Sequence, residues 1–593
     1  SPLRETQRGG SFTDLGVVGR IEVISGPSAT EGVGAAGGII NYISKTPTKM
    51  GNEFTLTSKY QTQFEDDSGG WKLGFEFARK QEEYDLLLAT SEVERGIGYD
   101  GNGRRIGMNA SGSLQDTHSR NLFLKFGSNF APDQRLEATI SRFHLIGNGN
   151  YIYQVGDRTR GLTDTSIPGR PQANQTEFND FKQYGLNYKH EAVLGGTLTA
   201  NFYRASQAMR FVAEPPDTAK QDPLFAPLGT LVEQSEVNSQ KRGVRTGWTR
   251  GDLFNVAGLE LRTGVDVVQD RTEQKLALTN RTWVPPMLYK STAPYAQVSY
   301  DVGPLTLSGG YRREDGELDV KTYTTLYAAG RNTVQGGVLD YKANLPNAGA
   351  VWRIGDGWST FVSYSKGFAL PNVGIPLRNV RIANQAVTGI LDLQAVIVDN
   401  KEVGVNWRGR QGSFGISTYN STSELGVSLA IDPVTNDFVM LRQPTDIKGI
   451  ELQGEYIMNN ALRANMTYSR IRGKTVFVTN GPLDKDMGIS DISPDKLGAS
   501  INWNASDKTS VRLSSSTFMD RNINIGKSGE EKTKGYTLLD LTATHRTRYG
   551  DFTLGVENLM NKFYIITWAQ VPGFQNYFAG RGRMVSLTHQ IKF

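Results

Sequence analysis

The chain has 593 residues, with 66 Gly, 24 Tyr, 26 Phe, 8 Trp, no Cys and a formal net charge of +5. Absence of Cys excludes thiol catalysis, Cys-based zinc sites and disulfide staples, and the mild positive excess has no basic block to suit a nucleic-acid partner. No run approaches about 18 consecutive apolar residues, which excludes a transmembrane helix but not a transmembrane barrel, whose alternating faces average to a soluble-looking hydropathy.

Ser1-Pro2-Leu3-Arg4-Glu5-Thr6 has no charged-then-apolar signal pattern, so either the signal has been removed or the chain is a fragment. Gly19 to Ser28 predicts a short strand ending in the Gly26-Pro27 turn. The glycine-dense Gly32 to Gly38 permits close backbone approach and leads into a second strand, Ile39 to Ser44, closed by Thr46-Pro47. No Gly-Lys-Ser/Thr follows, which disfavours a phosphate loop.

From about residue 53 the pattern has period two. Trp71, Leu73, Phe75 and Phe77 alternate with Lys72, Gly74 and Glu76; Ala296, Val298, Tyr300 and Val302, then Val403, Val405 and Trp407, then Ala499, Ile501 and Trp503 repeat it. Each strand thus has two faces, here lipid outside and a wet lumen inside. Short turns rich in Gly, Asn, Asp and Pro fall at Glu82-Glu83, Ala131–Asp133, Leu194–Gly196, Asp252–Asn255, Gly303-Pro304, Ile354–Gly357, Gly409–Gly412, Asn459-Asn460, Ala505–Lys508 and Thr547–Gly550. Their spacing of roughly 50 residues fits two strands plus one long loop, giving about 22 antiparallel strands. The long loops, near 146–178, 208–240, 367–398, 471–494 and 558–580, are expected on the outer rim. A propeller shares the period but needs a repeated blade signature. Instead, Val585, Leu587, His589 and Ile591 alternate up to a terminal Phe593, the aromatic ending that the outer-membrane assembly machinery recognises.

Arg20-Ile21-Glu22-Val23, Gly26-Pro27 and Gly37-Gly38-Ile39-Ile40-Asn41-Tyr42-Ile43-Ser44-Lys45-Thr46-Pro47 together resemble the end of the plug in TonB-dependent receptors. Gly367-Phe368-Ala369-Leu370-Pro371-Asn372, Gly555 to Tyr564 and Gly580-Arg581-Gly582-Arg583 are similar to the family's mid-barrel and near-terminal motifs. Ser25 and Glu31 depart from it, standing where relatives carry Arg or Lys and Tyr. The resemblance implies residues 1–50 as the last third of a plug, 51–593 as the transmembrane barrel, and a TonB box upstream of this chain.

It also implies a monomeric outer-membrane receptor, surrounded by lipid, that imports a ferric siderophore with energy from the TonB–ExbB–ExbD complex. Arg20 and Glu22 are expected to form plug–barrel ion pairs, because buried charges must be paired. Arg4, Gln7 and Arg8 are placed on an apical plug loop beneath the ligand, where their donors suit an anionic complex. In the outer loops Tyr151, Tyr153, Arg158, Trp283, Arg378, Arg381, Trp568 and Tyr577 are candidate anchors, although barrel rims carry aromatic girdles regardless of ligand. The siderophore wraps the iron, so no protein metal site or cofactor is expected. Haem would require an axial His, and of the five, His118, His144, His190, His545 and His589, only His118 falls in an expected loop. Haem or cobalamin uptake and a passive porin are the alternatives. An adhesin does not explain the plug signature, and an enzyme lacks a nucleophile elbow of the Gly-X-Ser-X-Gly type.

Overall fold

The computed structural model describes all residues except 1–12, 26–37, 109–114, 172–174, 214–217, 391–392, 432–437 and 572–576. Residues from Gly51 onward form a closed antiparallel barrel of 22 strands, to which Lys485–Asp486 adds a two-residue ladder. The first barrel strands are β3 (Gly51–Thr62), β4 (Gly70–Lys80), β5 (Tyr84–Arg95), β6 (Thr117–Ala131) and β7 (Gln134–Gly147). The ring closes where β3 meets the last strand, Met584–Lys592, in register from Thr55↔Lys592 to Thr62↔Val585. Before it, β1 (Val18–Ser25) and β2 (Gly38–Ser44) form a separate two-stranded sheet.

All ten expected turns connect consecutive strands. Asp356-Gly357 shows why: both residues adopt left-handed φ, 51° and 81°, the geometry that lets a two-residue turn follow the twist of its strands. Outward-facing aromatics gather near these turns, among them Phe130, Tyr188, Trp248, Trp352, Trp358, Trp407, Tyr456 and Trp503. They form the girdle of one membrane interface. Along β4, Trp71 and Leu73 face lipid, while Lys72 points into the lumen and reaches Asp14. The apolar surface therefore lies mostly on the outside of the ring.

Most of the outer loops run longer than the inner turns. Strands Leu259–Leu276 and Arg281–Val302 are 18 and 22 residues long and are joined by only four residues, 277–280. These strands continue past the apolar rows as a wall above the membrane. Trp283, expected in a loop, lies on this wall instead.

The largest apolar cluster lies inside the ring. Residues 370–390 and 393–395, including helix α1 (Gly374–Arg378), fold inward against lumen-facing Tyr289, Leu318, Tyr341, Ala343 and Leu345. Leu377, Val387 and Leu393 are fully buried there. The hydroxyls of Tyr323 and Tyr341 donate to the carbonyls of Leu377 and Leu393, at 2.5 and 2.6 Å. Just below, Arg312 is 1% exposed and Glu314 0%, with Arg312 donating to Asp266 at 2.9 Å and to Glu314 at 3.3 Å.

Candidate ligand-binding rim and lumen contacts

The inner sheet meets the lumen wall through polar contacts around one apolar spot. Asp14 caps the turn Leu15–Val17, accepting from Gly16 at 2.9 Å, from Lys72 at 2.7 and 2.8 Å, and from Ser91 at 2.5 Å. Val17 packs on Leu87, Ala89 and Phe123 of the wall. Lys45 pairs with Glu76 at 2.9 Å, and Lys125 donates to Thr46 at 2.9 Å. The expected pairing of Arg20 and Glu22 to the barrel takes a different form. They pair with each other at 2.8 Å, with side chains 68% and 39% exposed. Two residues apart on one strand, they share a face. Among the described residues, the cross-interface ion pairs are Asp14–Lys72 and Lys45–Glu76.

Arg4, Gln7 and Arg8 lie outside the described residues. Of the loop residues, Tyr153, Arg158, Trp568 and Tyr577 come together. Within the loop after β7, Tyr151–Gln154 pairs with Thr165–Pro168 as a small hairpin. Arg158 sits on the turn Arg158–Arg160, capped by the Asp157 side chain. Its guanidinium donates to the Ala569 carbonyl at 2.8 Å and lies 4.6 Å from the Tyr577 ring centre. Trp568 meets Phe578 edge-on, with Tyr153 packed alongside. The hub is buried Asp164, which accepts from Tyr153 Oη at 2.6 Å and from the Gly156 and Tyr577 amides at 2.7 Å each. Nothing in the sequence marks Asp164, because acids in loops ordinarily face solvent.

Tyr151 belongs to a neighbouring cluster with Ile97, Tyr99, Met108 and Val212. Its hydroxyl donates to Asp67 at 2.7 Å, and burial followed by that acceptor pushes its pKa up to about 12. Trp283 and Arg378 meet elsewhere on the rim. The Arg378 guanidinium lies 4.3 Å and Lys220 Nζ 5.3 Å from the indole, a stacked cationic arrangement. Arg381 follows α1 on an exposed surface. Buried Asp222 draws Arg281 and Arg331 together; burial raises its carboxyl, but the Leu224 amide and both guanidiniums outweigh this and hold it below the ordinary value. Four of the eight candidate loop residues thus gather at one junction, around Asp164, and two more, Trp283 and Arg378, meet at a second.

His118 is the second residue of β6 rather than a loop residue. It faces outward between Glu92 at 3.0 Å and Glu94 at 2.9 Å. Among the described residues no group of three or more His, Asp or Glu could hold a metal ion.

Glu177, at the foot of the Tyr151 loop, is 4% exposed and its Oε1 has no hydrogen-bond partner. Burial pushes its pKa up to about 7, and nearby Asp116 adds to the shift. Below about pH 4.5 the carboxyl is neutral in the ordered and disordered loop alike, so it costs nothing. As pH rises towards 7 only the disordered loop ionises, so ordering becomes less favourable, by about 3 kcal/mol in full at roughly 1.4 kcal/mol per pKa unit. Hydrogen-exchange protection of residues 148–171, corrected for intrinsic rates, should fall between about pH 5 and 8. Glu177→Gln should abolish that fall; an unchanged slope in the variant would assign it to another group.

The sequence matches the family described as TonB dependent receptor-like, beta-barrel, over residues 25–559. The chain belongs to this family. It is therefore a receptor of the outer membrane, not an enzyme. The receptor is 24% identical to the ferric aerobactin receptor of Klebsiella pneumoniae, over 97% of this chain and 83% of that one. It is 22% identical to the rhizobactin receptor of Rhizobium meliloti (strain 1021), over 93% and 77%. Its fold is shared with the copper transporter OprC, at a TM-score of 0.77 and 15% identity, covering 100% and 88% of the two chains. The unliganded ferric citrate transporter FecA gives a TM-score of 0.71 at 13% identity, covering 97% and 83%.

Proposed function

We propose that this receptor imports ferric siderophores of the hydroxamate or mixed carboxylate type. The observation that carries the reading is likeness along almost the whole chain to receptors named for ferric aerobactin and rhizobactin. Residues 1–50 act as part of a plug, and the TonB–ExbB–ExbD complex supplies the energy by acting on that plug. The receptor works as a monomer. The siderophore supplies the iron ligands, so the protein recognises the outside of the complex.

The two rim junctions suit that task. Guanidiniums at Arg158, Arg378 and Arg381 offer paired donors to carboxylates, and Tyr151, Tyr153, Trp283, Trp568 and Tyr577 offer flat apolar faces. Arg4, Gln7 and Arg8 supply further cationic and amide donors for the complex in this reading. The outward placement of His118 favours this reading over haem.

Titration of the detergent-solubilised receptor with ferric siderophores of both types tests the proposal. Arg8→Ala combined with Arg378→Ala should weaken binding by about a hundredfold, since each charge-assisted hydrogen bond contributes roughly 1.5–3 kcal/mol. The barrel's gel shift on heating should not change. Tight binding of haem or cobalamin, with none of any ferric siderophore, would refute it.

A further inference from the structure

The outward face of the barrel carries a row of cations just beyond its apolar rows. The strand register fixes the phase. Arg245 faces the lumen, 3.8 Å from Asp266, so Arg242 and its cross-strand partner Arg204 face outward. Arg271 lies opposite Gln240 on the same outer face, and Arg142 lies opposite Lys182 two strands away. Towards the turns, the next outward apolar residues are Tyr184, Phe202, Val244 and Val267, three of them well exposed.

These cations differ from those elsewhere on the ring in their partners. Lys290 pairs with Glu317 at 3.0 Å, Arg313 with Asp315 at 2.8 Å, Lys448 with Asp446 at 3.3 Å and Lys474 with Asp486 at 2.8 Å. Arg142 and Lys182 share the single carboxylate of Asp180, at 3.1 and 3.0 Å. Among the described residues Arg242 has only the Gln269 amide oxygen, at 2.6 Å. Among the described residues, exposed Arg204 and Arg271 have no ion-pair partner, and Arg204 stands directly opposite Arg242. Like charges in that position destabilise a sheet, and guanidiniums at the edge of hydrocarbon cost more.

We propose that Arg204, Arg242 and Arg271, flanked by Lys182 and Arg142, bind the phosphate groups of an outer-leaflet glycolipid. A phosphate accepts the paired donors of two guanidiniums at once and removes their repulsion. The aromatic and branched side chains below the cations hold acyl chains, so the site fits a phosphorylated lipid rather than a free anion. The lipid then acts as an external brace across strands Phe178–Val193 to Leu259–Leu276, and its binding is independent of the imported ligand.

Native mass spectrometry of the solubilised receptor with doubly phosphorylated lipid A tests this. The receptor should retain the lipid, and Arg204→Gln with Arg242→Gln and Arg271→Gln should lower retention by at least about tenfold. Lipid A stripped of phosphate should bind the unaltered receptor as poorly as phosphorylated lipid A binds the triple variant. Lys448→Gln with Lys474→Gln, on the far arc, should change nothing. If the triple variant fails to show the folded gel band, Arg204→Gln alone should still lower retention by about threefold, because one of three donors is lost. Equal retention by a folded Arg204→Gln or triple variant overturns the proposal, as does equal binding of phosphate-free lipid A. Displacement of the lipid by millimolar inorganic phosphate would reassign the site to a free anion.

Discussion

Replacing Arg312 with alanine is expected to destabilise the barrel by about 3–5 kcal/mol, the usual cost of stripping one partner from a buried ion cluster. Arg312 is the central cation between Asp266 and Glu314, and Tyr289 Oη also donates to Glu314, at 3.4 Å. Arg245 reaches Asp266 only at 3.8 Å and is itself partly exposed. Without Arg312, two carboxylates share one distant cation beneath the inward loop. Arg312→Met with Glu314→Gln should recover most of the loss, since it removes a positive and a negative charge together. Urea midpoints in detergent, or the temperature of the gel shift, measure both effects. A loss below about 1 kcal/mol in Arg312→Ala would show that water reaches the cluster.

The second large effect concerns the loop at 370–395. Leu377→Ala with Leu393→Ala removes two fully buried side chains from its seat, at roughly 2–5 kcal/mol each. Even about 4 kcal/mol in all raises the undocked population about a thousandfold, and proteolysis of an opened segment follows that population. Trypsin should therefore cut after Arg378 and Arg381 in the variant and leave the unaltered receptor intact. Planar-bilayer conductance should rise in parallel, because the loop occupies the lumen. Resistance to trypsin together with unchanged conductance would mean that the tyrosine hydrogen bonds at Leu377 and Leu393 suffice.

The barrel was legible because two local signals agree. Alternation such as Trp71-Lys72-Leu73-Gly74 reports a wall between lipid and water, and turns such as Asp356-Gly357 report where the wall reverses. Above the membrane the first signal disappears. Trp283 reads as a loop residue, yet it lies on a strand whose inner face, at Val284 and Met287, packs on the inward loop instead of lipid. His118 was misplaced for a related reason, since β6 begins outside the apolar rows among polar residues. Residue type singles out the candidate aromatics and arginines of the rim, but it does not single out Asp164 and Asp222, the acids that gather the loops around them. Such acids become recognisable only when separate loops aim donors at one carboxylate. The pairing of Arg20 with Glu22 could have been foreseen from their spacing alone.

The seam between β3 and the last strand joins residues more than 500 positions apart, as Gln590 donating to Thr57 illustrates. No other strand pair in the ring spans such a distance along the chain. Every other hairpin can zip as soon as its own two strands exist, whereas this one must wait for the final residues. Sealing the ring is therefore the last step of assembly, and an incomplete polypeptide leaves an open sheet with two raw edges. Phe593 takes part directly: its amide and carbonyl bond to those of Phe54, at 2.9 and 3.2 Å. Phe593 serves as the latch of the enclosure.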